Sequence, residues 1–445
     1  MKYQSTRNHA LTASPAAAVL QGIAPDGGLY MPEAIPVLDW QSLMKEDTLT
    51  MSARILSALL PDYEDMPALV RRGYAGKFET EDLTPLVSVG DRYVLELFRG
   101  CIRGCRFCQA GYVYRPVRNR SEELCVRYGV EACNDSGYQE VTLSSLSTSD
   151  YPQLTELCDD LEGFCQKRHV NLSLPSLRAD NFSMSLMQRL AKGRKSGLTF
   201  APEAGTQRLR DVINKNVTQE ELLASCRTAF AGGYNAVKLY FMLGLPTETD
   251  EDVLGIADLA ARVMHAWRES ASNKQRGVRI TVSTSWFVPK PHTAFQWEPQ
   301  ISKEEYQRRV KLLREAITTK TVTYNWHDPD TSFLEAVLAR GDRRMCKVLE
   351  AAWRKGAKLD AWEEYFSLER WMEAFNECGL DPHFYANRQR EKDEIMPWSV
   401  ISSGVTEEYL WRELQRAKAG VTTPDCRTHC NACGANRLVG GKCDV

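Results

Sequence analysis

Cys101, Cys105 and Cys108 lie in the run CIRGCRFCQAG at the spacing C-x3-C-x2-C. Three thiolates on one tight loop suit an iron–sulfur cluster better than a tetrahedral zinc site, which wants four ligands. No fourth ligand is local, because the next cysteine, Cys125, falls in a helix-like stretch. A 4Fe–4S cluster held by three cysteines keeps one iron open, and an open coordination position is what makes a metal site reactive rather than structural. Taken alone, the three cysteines leave a zinc knuckle or an inert thiol group as the alternative. A second group closes the chain. Cys426, Cys430 and Cys433 repeat C-x3-C-x2-C, and Cys443 follows. Four thiolates can close a structural zinc site or hold an auxiliary iron–sulfur cluster, and His429 could replace one. Metal there would pin a segment with little apolar content.

The elements that must position these groups alternate strand and helix. Strand candidates are Tyr93–Arg99, Glu140–Ser145, Val170–Pro175, Leu198–Pro202, Ala236–Leu243 and Val278–Val288, rich in Val, Leu, Phe and Thr and separated by longer amphipathic segments. Thr218 with Glu221 and Thr249 with Asp252 read as the starts of helices. Six β–α repeats imply a parallel sheet with helices outside, and reactive groups at the carboxyl ends of its strands. The cysteine loop follows the first strand, as that rule requires. Beyond about Gln300 the pattern reads as helical, through KEEYQRRVKLLREAI, SFLEAVLARGDRRMCKVLEAAWRKG and a stretch around Trp362 and Trp371.

Bulk composition sets outer bounds. The chain has 445 residues, which suggests two or three domains. Hydrophobic content of 43% and charged content of 26% are those of an ordinary globular protein, and the net charge of −2 gives no global field for nucleic acid. Local arginine groups such as Arg115, Arg118, Arg120, Arg208, Arg210, Arg343 and Arg344 could still meet phosphate. No run is long and apolar enough for a membrane span, and the start lacks a secretory pattern. Fourteen cysteines without that pattern point to a reducing cytoplasm, with thiols as ligands or packing groups rather than disulfides. Cys125, Cys133, Cys158, Cys165, Cys226, Cys346 and Cys378 read as packing residues.

The cysteine loop resembles the signature of the radical S-adenosylmethionine (SAM) enzymes. The resemblance implies a partial six-stranded α/β barrel, a 4Fe–4S cluster on Cys101, Cys105 and Cys108, and SAM chelated to the open iron. One electron then cleaves SAM to methionine and a 5′-deoxyadenosyl radical. Phe107 matches the aromatic that lies near the adenine. The later strand ends extend the likeness. LSSLSTSDYP stands where relatives hold the SAM ammonium on backbone carbonyls, which points to Ser145 and Ser147, although a Gly-Gly-Glu-like segment is absent. SLPSLRAD offers Arg178 to the SAM carboxylate or an anionic substrate. LTFAPEAGTQRLRDVINKNVT resembles a segment of radical SAM methylthiotransferases and of the elongator catalytic subunit. There Glu203 would accept from ribose hydroxyls or the SAM ammonium, and Gly205 would allow close backbone approach. VKLYFMLGLPTETDEDV places Leu243 beside the adenine, and WFVPKPHTAFQWEP adds Val288, with His292 nearby.

Residues from Cys101 to about Ala435 resemble a family of uncharacterised radical SAM proteins, many of which carry a cobalamin-binding-like domain in front. That domain is missing here. The first hundred residues, MKYQSTRNHALTASPAAAVLQGIAPDGGLYMPEAIP to TPLVSVGDRYVLELFRG, resemble the start of threonine synthase instead. The lysine segment that would bind pyridoxal phosphate is missing, so threonine synthesis is not expected. The join falls at Arg99–Gly100, so the first barrel strand, YVLELFR with Glu96 in its middle, comes from the threonine-synthase-like half.

The expected layout is residues 1–92 as an α-helical N-terminal domain, 93–300 as the radical SAM core, 301–420 as a helical region and 421–445 as a cysteine-rich tail. The expected activity is reductive cleavage of SAM, driven by a low-potential donor such as a flavodoxin or ferredoxin. The substrate is unknown, and the RNA-modifying relatives admit RNA or another macromolecule. The alternative is a non-enzymatic, zinc-stabilised RNA-binding protein.

Overall fold

The computed structural model describes residues 1–74, 92–174, 198–275, 277–440 and Cys443. They divide into two units, Met1–Val89 and Gly90–Val445. In the first, β1 (Tyr3–Ser5) pairs antiparallel with β2 (Thr12–Ala13) and β3 (Tyr30–Pro32). The helices Thr48–Leu59 and Met66–Tyr74 bury Ala53, Met66 and Val70 against each other. Asp47 starts the first of these by accepting from the Leu49 and Thr50 amides. The unit therefore adds a small sheet to the helices expected from its sequence.

The second unit is α/β. β4 (Tyr93–Glu96) is followed by a short antiparallel pair, β5 (Phe98–Arg99) with β6 (Arg118–Asn119), which brackets the cysteine loop. β7 (Glu140–Ser144) lies between β4 and β8 (Asn171–Ser173) in a three-stranded parallel sheet. β9 (Leu198–Glu203), β10 (Ala236–Leu243), β11 (Arg279–Trp286) and β12 (Val322–Trp326) form a four-stranded parallel sheet in the order β12-β11-β10-β9. Among the described residues the strands form these two sheets rather than one closed barrel.

Six of the seven parallel strands are those read from the sequence. The seventh, β12, corrects the reading of everything beyond Gln300 as helical. VTYNW is β-branched and aromatic, but only Val322 of it is buried, because it is an edge strand. Both capping boxes are present. Thr218 and Glu221 open the helix Gln219–Ala231, and Thr249 and Asp252 open Asp250–Ser270. The helices Lys303–Ala316, Pro329–Arg340, Met345–Arg354 and Leu368–Glu377 cover β9–β12 with one continuous apolar core.

The first parallel strand, β4, fits its sheet. Leu95 and Leu97 are fully buried. Glu96 pairs in register with Ser144, while its carboxylate meets Arg99 at 2.9 Å and Arg120 at 3.5 Å. β4 is an edge strand in the described sheet, so one acidic residue with two arginine partners is accommodated. Of the seven cysteines read as packing residues, Cys125, Cys133, Cys158, Cys165 and Cys226 are buried, Cys378 is half-buried and Cys346 is exposed. Cys346 lies on the outer side of Met345–Arg354, whose buried positions are Met345, Val348, Ala351 and Ala352. No helix among the described residues is long and apolar enough to cross a membrane.

Candidate active site

The loop between β5 and β6 is held from several directions. Gly100 begins it at φ +93°, and a Cβ there would stand 2.6 Å from the Tyr114 carbonyl oxygen, so only glycine fits. The Cys108 amide donates to the Cys105 carbonyl at 3.1 Å. The Arg103 amide donates to Cys101 Sγ at 3.4 Å. Beyond Cys108, Gln109 donates to the Pro291 carbonyl at 3.0 Å, which joins the loop to the segment after β11.

Three arginines of the loop fix its shape. Arg103 pairs with buried Asp150, beyond β7, and meets Asp425 at 3.5 Å. Arg106, between Cys105 and Cys108, is fully buried. It donates to Glu413 Oε2 at 3.2 Å, to the Val212 carbonyl at 3.0 Å and to the Val421 carbonyl at 2.7 Å. Arg115 donates to the Gly111 and Arg103 carbonyls, each at 2.9 Å.

The three thiols are half-buried. Burial, and then the neighbouring Cys105 thiol, push Cys101 up to about 12, and the same causes raise Cys108. Thiolates are the ligand form, so metal binding at these thiols would release protons. Among the described residues no three Cys, His, Asp or Glu side chains gather to hold a single metal ion. A cubane takes one thiolate per iron, so its ligands spread wider than those of a lone ion.

A cavity of about 290 Å³ opens beside this loop at the carboxyl ends of β10, β11 and β12. Phe107, Met242 and Val288 give it apolar walls, while Ser285, Lys290 and His327 give it polar groups. Phe107 and Val288, both expected from the sequence, thus meet in one place. Leu243 does not line it. Buried positions alternate along β10, so Leu243 faces the sheet core and Met242, one residue earlier, faces the cavity. Lys290 pairs with Glu335 on its rim.

Glu203 stands at the end of β9, where a register shift against β10 falls between Leu239 and Phe241. Its φ of +67° is rare for a residue with a Cβ. Lys215 donates to its carboxylate at 3.1 Å, and both lie within electrostatic reach of Cys108. Gly205 does allow a close approach, but of the helix Asp250–Ser270: a Cβ would lie 2.4 Å from the Asp252 carbonyl oxygen and from the Ile256 amide. Ser145 bonds Thr148 Oγ1 at 3.0 Å, and Ser147 donates to Asp150, so both hydroxyls are used within their own turn. Arg178 lies outside the described residues. Sequence reasoning missed Arg103, Arg106, Lys215, Lys290 and His327. The first two were visible only as basic residues between cysteines.

Residues 95–260 match the family profile of the Radical SAM superfamily, and residues 2–89 match that of the Threonine synthase N terminus. An uncharacterised protein of Methanocaldococcus jannaschii is 30% identical over 292 residues, covering 65% of this chain and 61% of that one. Threonine synthase of Saccharomyces cerevisiae is 36% identical over 113 residues, 22% of each chain. The tRNA-2-methylthio-N(6)-dimethylallyladenosine synthase of Thermotoga petrophila is 24% identical over 227 residues, 48% of this chain and 47% of that one. The chain thus spans less than two thirds of each of these relatives. The likeness to the radical SAM superfamily thus lies in residues 95–260, and the likeness to the threonine synthase N terminus lies in front of it, in residues 2–89.

Proposed function

We propose that this chain is a radical SAM enzyme whose Cys101, Cys105 and Cys108 hold a 4Fe–4S cluster and whose adjoining cavity takes the adenosyl end of SAM. The observation that carries the reading is the cavity itself. Phe107, from within the cysteine run, shares it with Met242 and Val288 at the ends of neighbouring strands. When bound, cluster and SAM supply reductive cleavage of SAM to methionine and a 5′-deoxyadenosyl radical. The protein's part is positioning. Arg103 and Arg106 fix the loop that presents the thiols. Phe107 and Val288 keep water from the adenine face. Glu203, oriented by Lys215, accepts from the SAM ammonium or ribose. Carbonyls of the Ser145–Ser147 turn, and Arg178, complete the ammonium and carboxylate contacts.

A low-potential donor such as a flavodoxin or ferredoxin supplies the electron, in a reducing cytoplasm. The likeness to a tRNA-modifying relative favours RNA as the substrate class. The decisive experiment is anaerobic reconstitution followed by an assay for 5′-deoxyadenosine under dithionite. Wild type should be brown and cleave SAM, and Cys105→Ala should lose both properties. A colourless zinc protein, or undiminished 5′-deoxyadenosine from Cys105→Ala, overturns the reading.

A further inference from the structure

The chain comes back to its first cysteine loop near its end. The helix Glu407–Lys418 carries Glu413 to Arg106, and the segment that follows, Val421–Arg427, runs along the loop. The Val421 carbonyl accepts from Arg106 at 2.7 Å. Thr423 is buried; its amide donates to Asn214 Oδ1 at 2.8 Å, and its carbonyl accepts from Asn216 at 3.1 Å. Asn214, itself fully buried at φ +54°, passes the contact on by donating to the Gly104 carbonyl at 3.0 Å. A Cβ on Gly104 would stand 2.9 Å from that amide nitrogen, so the two are pressed together. The Cys426 amide donates to the Ile102 carbonyl at 3.3 Å. Ile102, Gly104 and Arg106, alternate residues of the loop, therefore all meet the segment, directly or through Asn214.

Charges close the same seam. Arg103, between Cys101 and Cys105, pairs with Asp150 and meets Asp425 of the segment at 3.5 Å. Arg427 meets Asp425 at 3.0 Å and Asp150 at 3.5 Å. Two guanidinium groups and two carboxylates thus alternate, and their charges sum to zero. The segment brings one charge of each sign to the Arg103–Asp150 pair, so seating it strands no buried charge. Asp425 is fixed in its own turn, where it accepts from the Arg427 amide at 3.0 Å and the Thr428 amide at 3.3 Å. An oriented, largely buried carboxylate in a network holds more firmly than a loose surface pair.

We propose that Val421–Arg427 is a strap that holds the cysteine loop in its working shape, with Asp425 and Arg427 as positioning residues of the candidate active site. The consequence for a bound cluster rests on the radical SAM reading; the hold on the loop does not. The test is hydrogen exchange by mass spectrometry on the full chain, wild type against Asp425→Asn/Arg427→Gln, which removes one charge of each sign. The Arg106 and Cys108 amides donate to the Ile213 and Cys105 carbonyls, so a peptide spanning 101–112 reports opening of the loop. In the variant that peptide should exchange roughly tenfold faster, while one spanning 236–243, an inner strand of the four-stranded sheet, keeps its rate. Asp425→Glu with Arg427 intact keeps the charges and should recover most of the protection. After anaerobic reconstitution the charge-free variant should lose iron to a chelator roughly tenfold faster than wild type, because loss proceeds through the same opening. Unchanged exchange in 101–112 refutes the strap. An equal rise in 236–243 refutes it too, since the pair would then only support the whole fold. Iron lost no faster than from wild type refutes the positioning role. If 101–112 alone is loosened and wild type binds no iron, the strap stands and the radical SAM reading fails.

Discussion

Glu413→Gln should loosen the cysteine loop from a distance. Arg106 is fully buried and donates to Glu413, to the carbonyls of Asp211, Val212 and Val421, and to Thr423 Oγ1. Glu413 also accepts from Thr423 at 2.8 Å and meets Arg416 at 3.5 Å. The amide keeps the shape of the carboxylate and removes its charge. It leaves a buried guanidinium facing neutral acceptors only. Breaking a buried pair from one side costs about 3–5 kcal/mol. The three carbonyls still solvate Arg106, so the lower end, about 3 kcal/mol, is expected. At about 1.4 kcal/mol per factor of ten, the folded fraction relative to unfolded falls roughly a hundredfold. The assay is urea unfolding followed by tryptophan fluorescence, with iron retained after reconstitution as a second readout. Iron should fall with stability, because Arg106 sits between Cys105 and Cys108, two of the proposed ligands. Adding Arg106→Met should recover part of the loss by removing the orphaned charge. A loss below about 1 kcal/mol, or a double variant worse than either single one, refutes the view that this pair anchors the loop.

Other sites give equally direct outcomes. Gly205→Ala places a Cβ 2.4 Å from the backbone of Asp250–Ser270, so it should destabilise by about 1–3 kcal/mol in urea titration, and a neutral result would deny the close packing. Phe107→Ala should weaken SAM binding about tenfold in equilibrium dialysis while iron content holds; unchanged affinity would remove Phe107 from the cofactor site. Glu248 accepts from the Gly244 amide at 2.6 Å, and burial raises its carboxyl to about 7 against the opposing pull of Arg309. Its folded state therefore holds the proton more tightly than the unfolded chain does. The stabilisation is full below the ordinary carboxylate range and is lost as pH rises through about 7. The thermal midpoint of wild type should accordingly fall relative to Glu248→Gln between about pH 5 and pH 8, and parallel profiles would refute the burial argument.

Local chemistry was legible in the sequence, and contacts between distant residues were not. Both capping boxes and six parallel strands depend on neighbours within a few residues, and all appear in the structure. At the end of β10 the sequence is continuously apolar, and only the burial pattern of the folded strand shows that Met242 meets the cavity while Leu243 faces the sheet core. β12 was missed because one buried residue in five leaves little periodic signal. The ties of Arg103 to Asp150 and of Lys215 to Glu203 join loops that follow different strands, and no local pattern announces them.

The bond from Arg106 to Glu413 joins residues 307 positions apart. On the ribosome, Cys101, Cys105 and Cys108 emerge long before the helix that carries Glu413 exists. Three exposed thiols must wait through most of synthesis without the structure that orders them. The final shape of the cysteine loop is therefore a late event for this chain, and premature termination ahead of residue 413 yields a product whose cysteines are present but unanchored.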